Sequence, residues 1–251
     1  MTTLLRARML THAYGRRKVV EDASLEIAQG EIRAIIGPNG AGKTTLFNLL
    51  SGTLACRQGA IEFDGQDVTR TPAHRRCRLG VGRTFQINNL FPAATVAGNI
   101  RVPLLLCRGK SWNPLAAAEP MLRDEIEALA SAVGLKALLH RRATELSYGD
   151  RRRLEIAIAL AWNPKLLLLD EPACGVAVGD RPALIELIRQ IVRDRGITAV
   201  LVEHDMDLVF SIAQRITVLH RGRIVADDEP QRIARNEQVQ EIYLGKEFHH
   251  G

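Results

Sequence analysis

The hydrophobic pattern is clearest at residues 31–37, EIRAIIG, a short apolar run closed by glycine that predicts a buried strand. TTLFNLLSG (44–52) follows with helical spacing, and Gly52 is placed to cap its C-terminus. GAIEFDGQDV (59–68) alternates and turns at Asp64-Gly65, which predicts an antiparallel hairpin. Residues 115–160 read as helical, with apolar positions at Ile126, Leu129 and Val133. From 165 the chain alternates KLLLLD, RPALIELIRQIVRDRG, TAVLVEHD, a further helix and RITVLHRGRIVADD. Apolar strands separated by helices predict a parallel sheet covered on both faces. The expected architecture is one α/β domain over 1–251. Residues 1–86 and 164–251 would form a core with an antiparallel β subdomain, and 87–163 an inserted helical subdomain.

Composition narrows this little: 46% apolar and 25% charged residues are ordinary for a globular chain. VPLLLC (102–107) and LLLL (166–169) fall far short of the roughly 18 apolar residues that cross a bilayer. MTTLLRARML lacks the pattern of a signal peptide, so a cytoplasmic location is expected. Cys56, Cys77, Cys107 and Cys174 are scattered without a CxxC, as for reduced thiols rather than a disulfide framework or zinc site. The net charge of +6 gathers at Arg75, Arg76, Arg78 and Arg83 and at Arg151 to Arg153. Such a balance suits nucleic acid or an anionic membrane, but also a nucleotide site in an arginine-rich chain, which is the favoured reading.

GPNGAGKTT (37–45) supplies the chemistry. It fits G-x-x-x-x-G-K-[ST] with Gly37, Gly42, Lys43 and Thr44, directly between a predicted strand and a predicted helix. The loop, Gly37, Pro38, Asn39, Gly40, Ala41 and Gly42, can curl its N–H groups around a β-phosphate. Lys43 would reach the β- and γ-phosphates, Thr44 would ligate Mg²⁺, and Thr45 follows in the helix. LLLLDEP (166–172) places Asp170 and Glu171 at the carboxyl end of a strand, where ligands of open α/β sheets sit. Asp170 would hold the Mg²⁺ shell and Glu171 would act as general base on a water, so ATP hydrolysis is expected. A second anion site is suggested by ELSYGDRRRLEIA (145–157), where Ser147 and Gly149 stand at a predicted helix N-terminus about a hundred residues from the loop.

Over essentially its full length the chain resembles the nucleotide-binding subunits of ABC transporters. GPNGAGKTT is similar to that family's Walker A motif, LLLLDEP to Walker B, LSYGD to the signature, GRTFQ to the Q-loop and VEHDM to the switch-histidine segment. The resemblance implies that Tyr14 stacks on adenine and that Gln86 contacts Mg²⁺ or the attacking water. It also implies that His204 binds the γ-phosphate beside Glu171. Two such subunits, identical or paralogous, would bury two ATP molecules, with Ser147 and Gly149 of one closing on Lys43 of the other. Their partners would be transmembrane permeases and, indirectly, a periplasmic solute-binding protein, on the cytoplasmic face of the inner membrane. NNLFPAATV (88–96), with Leu90 and Phe91 near a proline turn, is the expected docking surface, while the arginines before Gln86 suit either a partner or a solvated face with internal ion pairs.

FNLLSG, RTFQ, LSYGDRRRLEIA and IYLGKE most resemble the importers of branched-chain amino acids. Importers of urea or short amides are very similar, and a lipopolysaccharide-export ATPase shares the YLG ending but tends to have glycine where Tyr148 stands. Ala177 departs from the Asp or Asn usual there, which would weaken coupling between the paired sites. An ABC ATPase acting on nucleic acid or the ribosome is disfavoured by the single cassette without sustained heptads. A phosphotransferase would leave the signature and His204 unexplained, and Arg151 to Arg153 have no assigned role.

Overall fold

Strand β3 (Ile32–Ile36) is buried at every position, and its side chains divide between two cores by the period-two rule. Ile32, Ala34 and Ile36 face one apolar cluster and Ile35 the other. β7 (Leu166–Asp170) divides in the same way, Leu167 and Leu169 against Leu166 and Leu168, as does β8 (Thr198–Val202), Ala199 and Leu201 against Val200 and Val202. Strands this apolar on both faces must be sandwiched.

The computed structural model describes residues 2–84, 90–107 and 119–244; Gln86 and the last three residues of IYLGKE lie outside them. β6 (Val81–Arg83), β9 (Arg215–His220) and β10 (Arg223–Asp228) complete a six-stranded sheet in the order β10-β9-β3-β8-β7-β6. Its pairs are parallel except β9 with β10. A second, antiparallel sheet runs β2-β1-β4-β5 through β1 (Thr3–Tyr14), β2 (Arg17–Ala28), β4 (Gln58–Phe63) and β5 (Gln66–Asp67). Together with α1 (Lys43–Ser51) it covers one face of the large sheet: Leu5, Ala7, Ile61 and Phe63 share a core with Leu46, Phe47 and Leu50. The other face is covered by α3 (Val96–Cys107), α4 (Glu119–Ala132), α5 (Tyr148–Leu160), α6 (Arg181–Arg195) and α7 (Met206–Ile212). Full burial of each such Leu, Ile or Phe contributes about 1.5–3 kcal/mol. α8 (Pro230–Ala234) and α9 (Glu237–Leu244) add Ile233 and Val239 to the core on that second face, and α2 (Ala73–Leu79) lies outside this layering.

The hairpin at Asp64-Gly65 forms as expected, with φ of 50° and 75° at the two residues, the left-handed pair that a two-residue turn requires. The continuous helix expected over 115–160 is instead broken. α4 ends at Ala132 and is closed off by Gly134 (φ 74°), where Leu135 N–H donates to the Ala130 carbonyl at 2.7 Å, and short 3₁₀ turns at 136–138 and 143–145 precede α5. Tyr14 ends β1, opposite Arg17 in the β1–β2 hairpin. Among the described residues no helix is long and apolar enough to cross a membrane, and all four cysteines are free.

The arginine cluster before Gln86 divides. Arg75 and Arg78 are exposed, but Arg76 is 1% exposed and is no surface residue. Its guanidinium donates to the carbonyls of Thr71, Leu49, Leu50, Val68 and Thr69 at 2.7–3.3 Å, closing the C-terminal end of α1. A cation is favourable at that end of a helix, and backbone oxygens replace the water it gives up. Phe91 is exposed and Leu90 is partly buried against the helical core.

Candidate nucleotide and hydrolysis site

The loop after β3 bends where only glycine fits. A Cβ on Gly37 (φ 153°) would stand 2.1 Å from the Leu219 carbonyl oxygen, and one on Gly42 (φ 104°) 2.4 Å from that of Val19. Both obstacles are backbone, so neither can yield. The turn after β9 braces the loop from behind, Gly222 N–H donating to the Ala41 carbonyl at 2.8 Å. α1 starts at Lys43 with Gly42 as its N-cap and no side-chain cap, which leaves the first-turn N–H groups and the positive end of the helix for an anion. The Lys43 ammonium folds back on the loop, donating to the carbonyls of Gly37 at 2.7 Å and Pro38 at 3.2 Å. Thr44 is exposed beside it and Thr45 is buried. A groove along Pro38, Asn39, Gly40 and Ala41 is also lined by Arg17 and Arg221, which sequence reasoning did not single out. Tyr14 does not line that groove; it is 56% exposed and packs edge-on against His12 at 4.9 Å.

Asp170 ends β7 next to β3's neighbour β8, with its side chain 12% exposed. Its Oδ2 accepts from Arg83 Nη2 at 3.1 Å. Glu171 turns out of the strand with φ 47°, an uncommon conformation for a residue with a side chain, anchored by its N–H on the Val202 carbonyl at 2.9 Å. That turn carries its carboxylate to His204, Oε1 to Nε2 3.0 Å. The structure thus joins Glu171 and His204, which lie on different strand ends, in one hydrogen bond. Beneath them lies Glu203, a residue that sequence reasoning missed. It is 4% exposed, accepts from Ala173 N–H at 2.7 Å and from His204 N–H at 3.2 Å, and burial pushes its pKa up. Its two oxygens tie the segment after Glu171 to the backbone of His204. The only sequence signal was an acid closing an otherwise apolar strand.

The signature segment forms a capped helix start. Ser147 is the N-cap of α5; its hydroxyl accepts from Asp150 N–H at 3.1 Å and donates to Asp150 Oδ2 at 2.8 Å. Gly149 lies inside the first turn and not before the helix. Tyr148 lies against Gly175, where an added Cβ would come within 2.4 Å of the ring. Arg152 stands over the same ring at 5.5 Å and pairs with Glu155 at 2.9 Å, both nearly buried. Burial raises the Glu155 pKa to about 6, with Arg152 opposing the shift. Arg151 donates to the Thr144 carbonyl and Arg153 stands 3.9 Å from Asp150, so all three arginines brace the signature helix. Ala177 N-caps a short turn without any side-chain bond.

No three His, Cys, Asp or Glu residues among those described form a metal cage. The donors at hand, the Asp170 carboxylate and the Thr44 hydroxyl, are hard oxygens and too few to enclose an ion. That set fits Mg²⁺, which is held by one or two carboxylates together with the phosphates of its nucleotide.

Residues 20–174 match the family described as ABC transporter. The chain is 36% identical to the high-affinity branched-chain amino acid transport ATP-binding protein BraF of Pseudomonas aeruginosa, over 97% of this chain and 98% of that protein. It is 37% identical to the lipopolysaccharide export system ATP-binding protein LptB of Acidithiobacillus ferridurans, over 99% of each. Among solved structures, an ATP-binding cassette of an ABC transporter in its ADP conformation superposes with a TM-score of 0.86, at 29% identity, over 98% of this chain and all of the other.

Proposed function

The chain belongs to the ABC transporter family as an ATP-binding, ATP-hydrolysing subunit, and on that premise we propose that it drives uptake of a small polar solute, branched-chain amino acids in the first instance. In this reading the phosphate loop and the N-terminus of α1 hold the nucleotide, with Lys43 on its β- and γ-phosphates. Thr44 and Asp170 hold Mg²⁺, which when bound neutralises phosphate charge. Glu171 takes the proton of the attacking water, and His204, held by Glu171 and by Glu203 beneath, orients it.

Gly149 carries the paired-cassette reading. Glycine inside a helix destabilises it by about 1 kcal/mol relative to alanine. Gly149 has no positive φ, and an added Cβ would meet only Val176 and Ser147 at 3.9–4.0 Å. Nothing among the described residues excludes a side chain there, so the bare backbone serves something that approaches from outside. The γ-phosphate bound by Lys43 of a second cassette, arriving at the positive end of α5, meets that need. The division of the chain near residues 87 and 163 then has a use: the helical part carries the signature and the core carries the loop.

The cargo rests on the kinship with BraF and on Tyr148, and it is tested by deleting the gene and measuring uptake of labelled leucine, isoleucine and urea. Loss of leucine and isoleucine uptake is expected. Their normal uptake with urea uptake lost would move the assignment to amides, and a lipopolysaccharide export defect would reverse the direction of transport. For the permease contact, Phe91 is 54% exposed. Its replacement by Asp should release the ATPase from permease in a pull-down while leaving ATP affinity within about twofold, since exposed substitutions act within about 0.5 kcal/mol. Retained permease would remove Phe91 from the interface.

A further inference from the structure

Arg83 is the second member of the basic cluster to lie inside the protein. Its side chain is 12% exposed and its guanidinium stands over the Phe47 ring at 5.1 Å. One edge, Nη2, donates to Asp170 Oδ2 at 3.1 Å. The other nitrogen, Nη1, donates to three neutral oxygens at the C-terminal end of α1, Asn48 Oδ1 at 2.7 Å, Ser51 Oγ at 2.9 Å and Thr53 Oγ1 at 3.1 Å. Burial pulls the Arg83 pKa down and Asp170 raises it, yet an arginine keeps its charge in any protein setting. A desolvated guanidinium therefore shares the carboxylate that the proposed function reserves for Mg²⁺. Ser51, Thr53 and Arg83 also line a cleft of about 510 Å³, together with Cys77, Leu106 and Trp162. One side chain thus has an edge on the proposed metal carboxylate and a flank in the wall of a separate cavity.

We propose that Arg83 is the resident counter-ion of Asp170, which yields that carboxylate when Mg²⁺–nucleotide binds, and that the exchange is transmitted to the cleft. The inference rests on the reading of Asp170 as the metal carboxylate. Two cations cannot share one carboxylate at close range without repulsion, which is strong where the surroundings are dry. Asn48, Ser51 and Thr53 give Arg83 a place to stay when Asp170 turns to the metal, so the exchange needs a pivot of one side chain and no unfolding. Because Ser51 and Thr53 are also in the cleft wall, metal binding changes the polar edge of the cleft. Arg83 acts as a positioning residue and not as a catalytic one.

The test is a Mg²⁺ titration of the full chain with a fluorescent ATP analogue, in a Trp112→Phe background that leaves Trp162 as the one tryptophan of two in the sequence. In the parent, Mg²⁺ should tighten nucleotide binding and shift Trp162 emission. Arg83→Met, which keeps length and apolar contact with Phe47, should lower the Mg²⁺ midpoint about tenfold, as expected when one partly screened charge is removed, and should abolish the Trp162 response. Arg83→Gln serves as the second variant with the same expectation, and Arg83→Lys should stay within about twofold of the parent. An unchanged or raised midpoint in both neutral variants, or a retained Trp162 shift, overturns the inference. Asp170→Asn separates the two levels. If it loses the Mg²⁺ dependence while Arg83→Met changes nothing, only the exchange fails; if it keeps that dependence, the metal reading fails and the exchange with it.

Discussion

Lys43→Ala weakens ATP binding by about two to three orders of magnitude, read by equilibrium dialysis or titration calorimetry. The ammonium makes charge-assisted hydrogen bonds, worth roughly 1.5–3 kcal/mol each, and two of them to phosphate oxygens account for a loss of that size. In the structure Lys43 already donates to the Gly37 and Pro38 carbonyls, so the nucleotide takes over donors that the loop now uses. The substitution leaves the bends at Gly37 and Gly42 in place, because these are fixed by the carbonyls of Leu219 and Val19 and not by the lysine. Thermal stability without nucleotide should therefore change little. A dissociation constant within about tenfold of wild type would reject the phosphate-loop assignment, since one good charged contact alone exceeds that factor.

The second large effect is on turnover. Glu171→Gln lowers kcat by about 10²–10⁴, the usual contribution of a positioned general base, with little change in KM for ATP. Glutamine keeps the length of the side chain and one oxygen that can accept from His204, 3.0 Å away in the native pair, but it cannot take up a proton. The turn at φ 47° is set by the backbone bond to Val202 and survives the change. Chemistry is stopped while binding continues, so ATP should accumulate between two chains. Light scattering after gel filtration with Mg²⁺ and ATP should show a dimer in the variant and mostly monomer without nucleotide. A variant that remains monomeric with ATP bound would sink the reading of Gly149 as a surface for a second cassette.

The parts of the fold that sequence made legible were those decided by neighbours in the chain. β3, its glycine loop and α1 follow from a local apolar run, two positions where a Cβ cannot fit and a helical spacing. β7, α6 and β8 were equally readable for the same reason. β1 and β2 were not, because the hairpin slips register between Ala7 and Leu10 and again before His12, with Met9 at φ 50°. Each slip resets the period of two on which a strand is recognised. α3 was hidden by Pro103 in its interior, which reads as a break but is tolerated there. Arg76 and Arg83 looked like surface charge because arginine usually is. Their burial is decided by carbonyls at 49, 50, 68, 69 and 71 and by a carboxylate at 170, none of which local patterning can bring together. Of the candidate site, Lys43, Asp170, Glu171 and His204 were found by motif, whereas Glu203 shows its use only once two strand ends stand side by side.

The contact of Tyr148 with Gly175 has a consequence for descent. A methyl group at 175 would fall within 2.4–2.8 Å of the tyrosine ring, and φ of 77° at that position already disfavours any side chain. A lineage that acquired alanine at 175 would have to surrender the aromatic ring at 148, and one that lost the ring would be freed of the clash, leaving only the backbone preference for glycine. The two positions, 27 residues apart, should therefore change together across kin, as a pair inherited jointly or abandoned jointly. Such linked inheritance would separate branches of the family from sequence alone, without knowledge of what any of them carries.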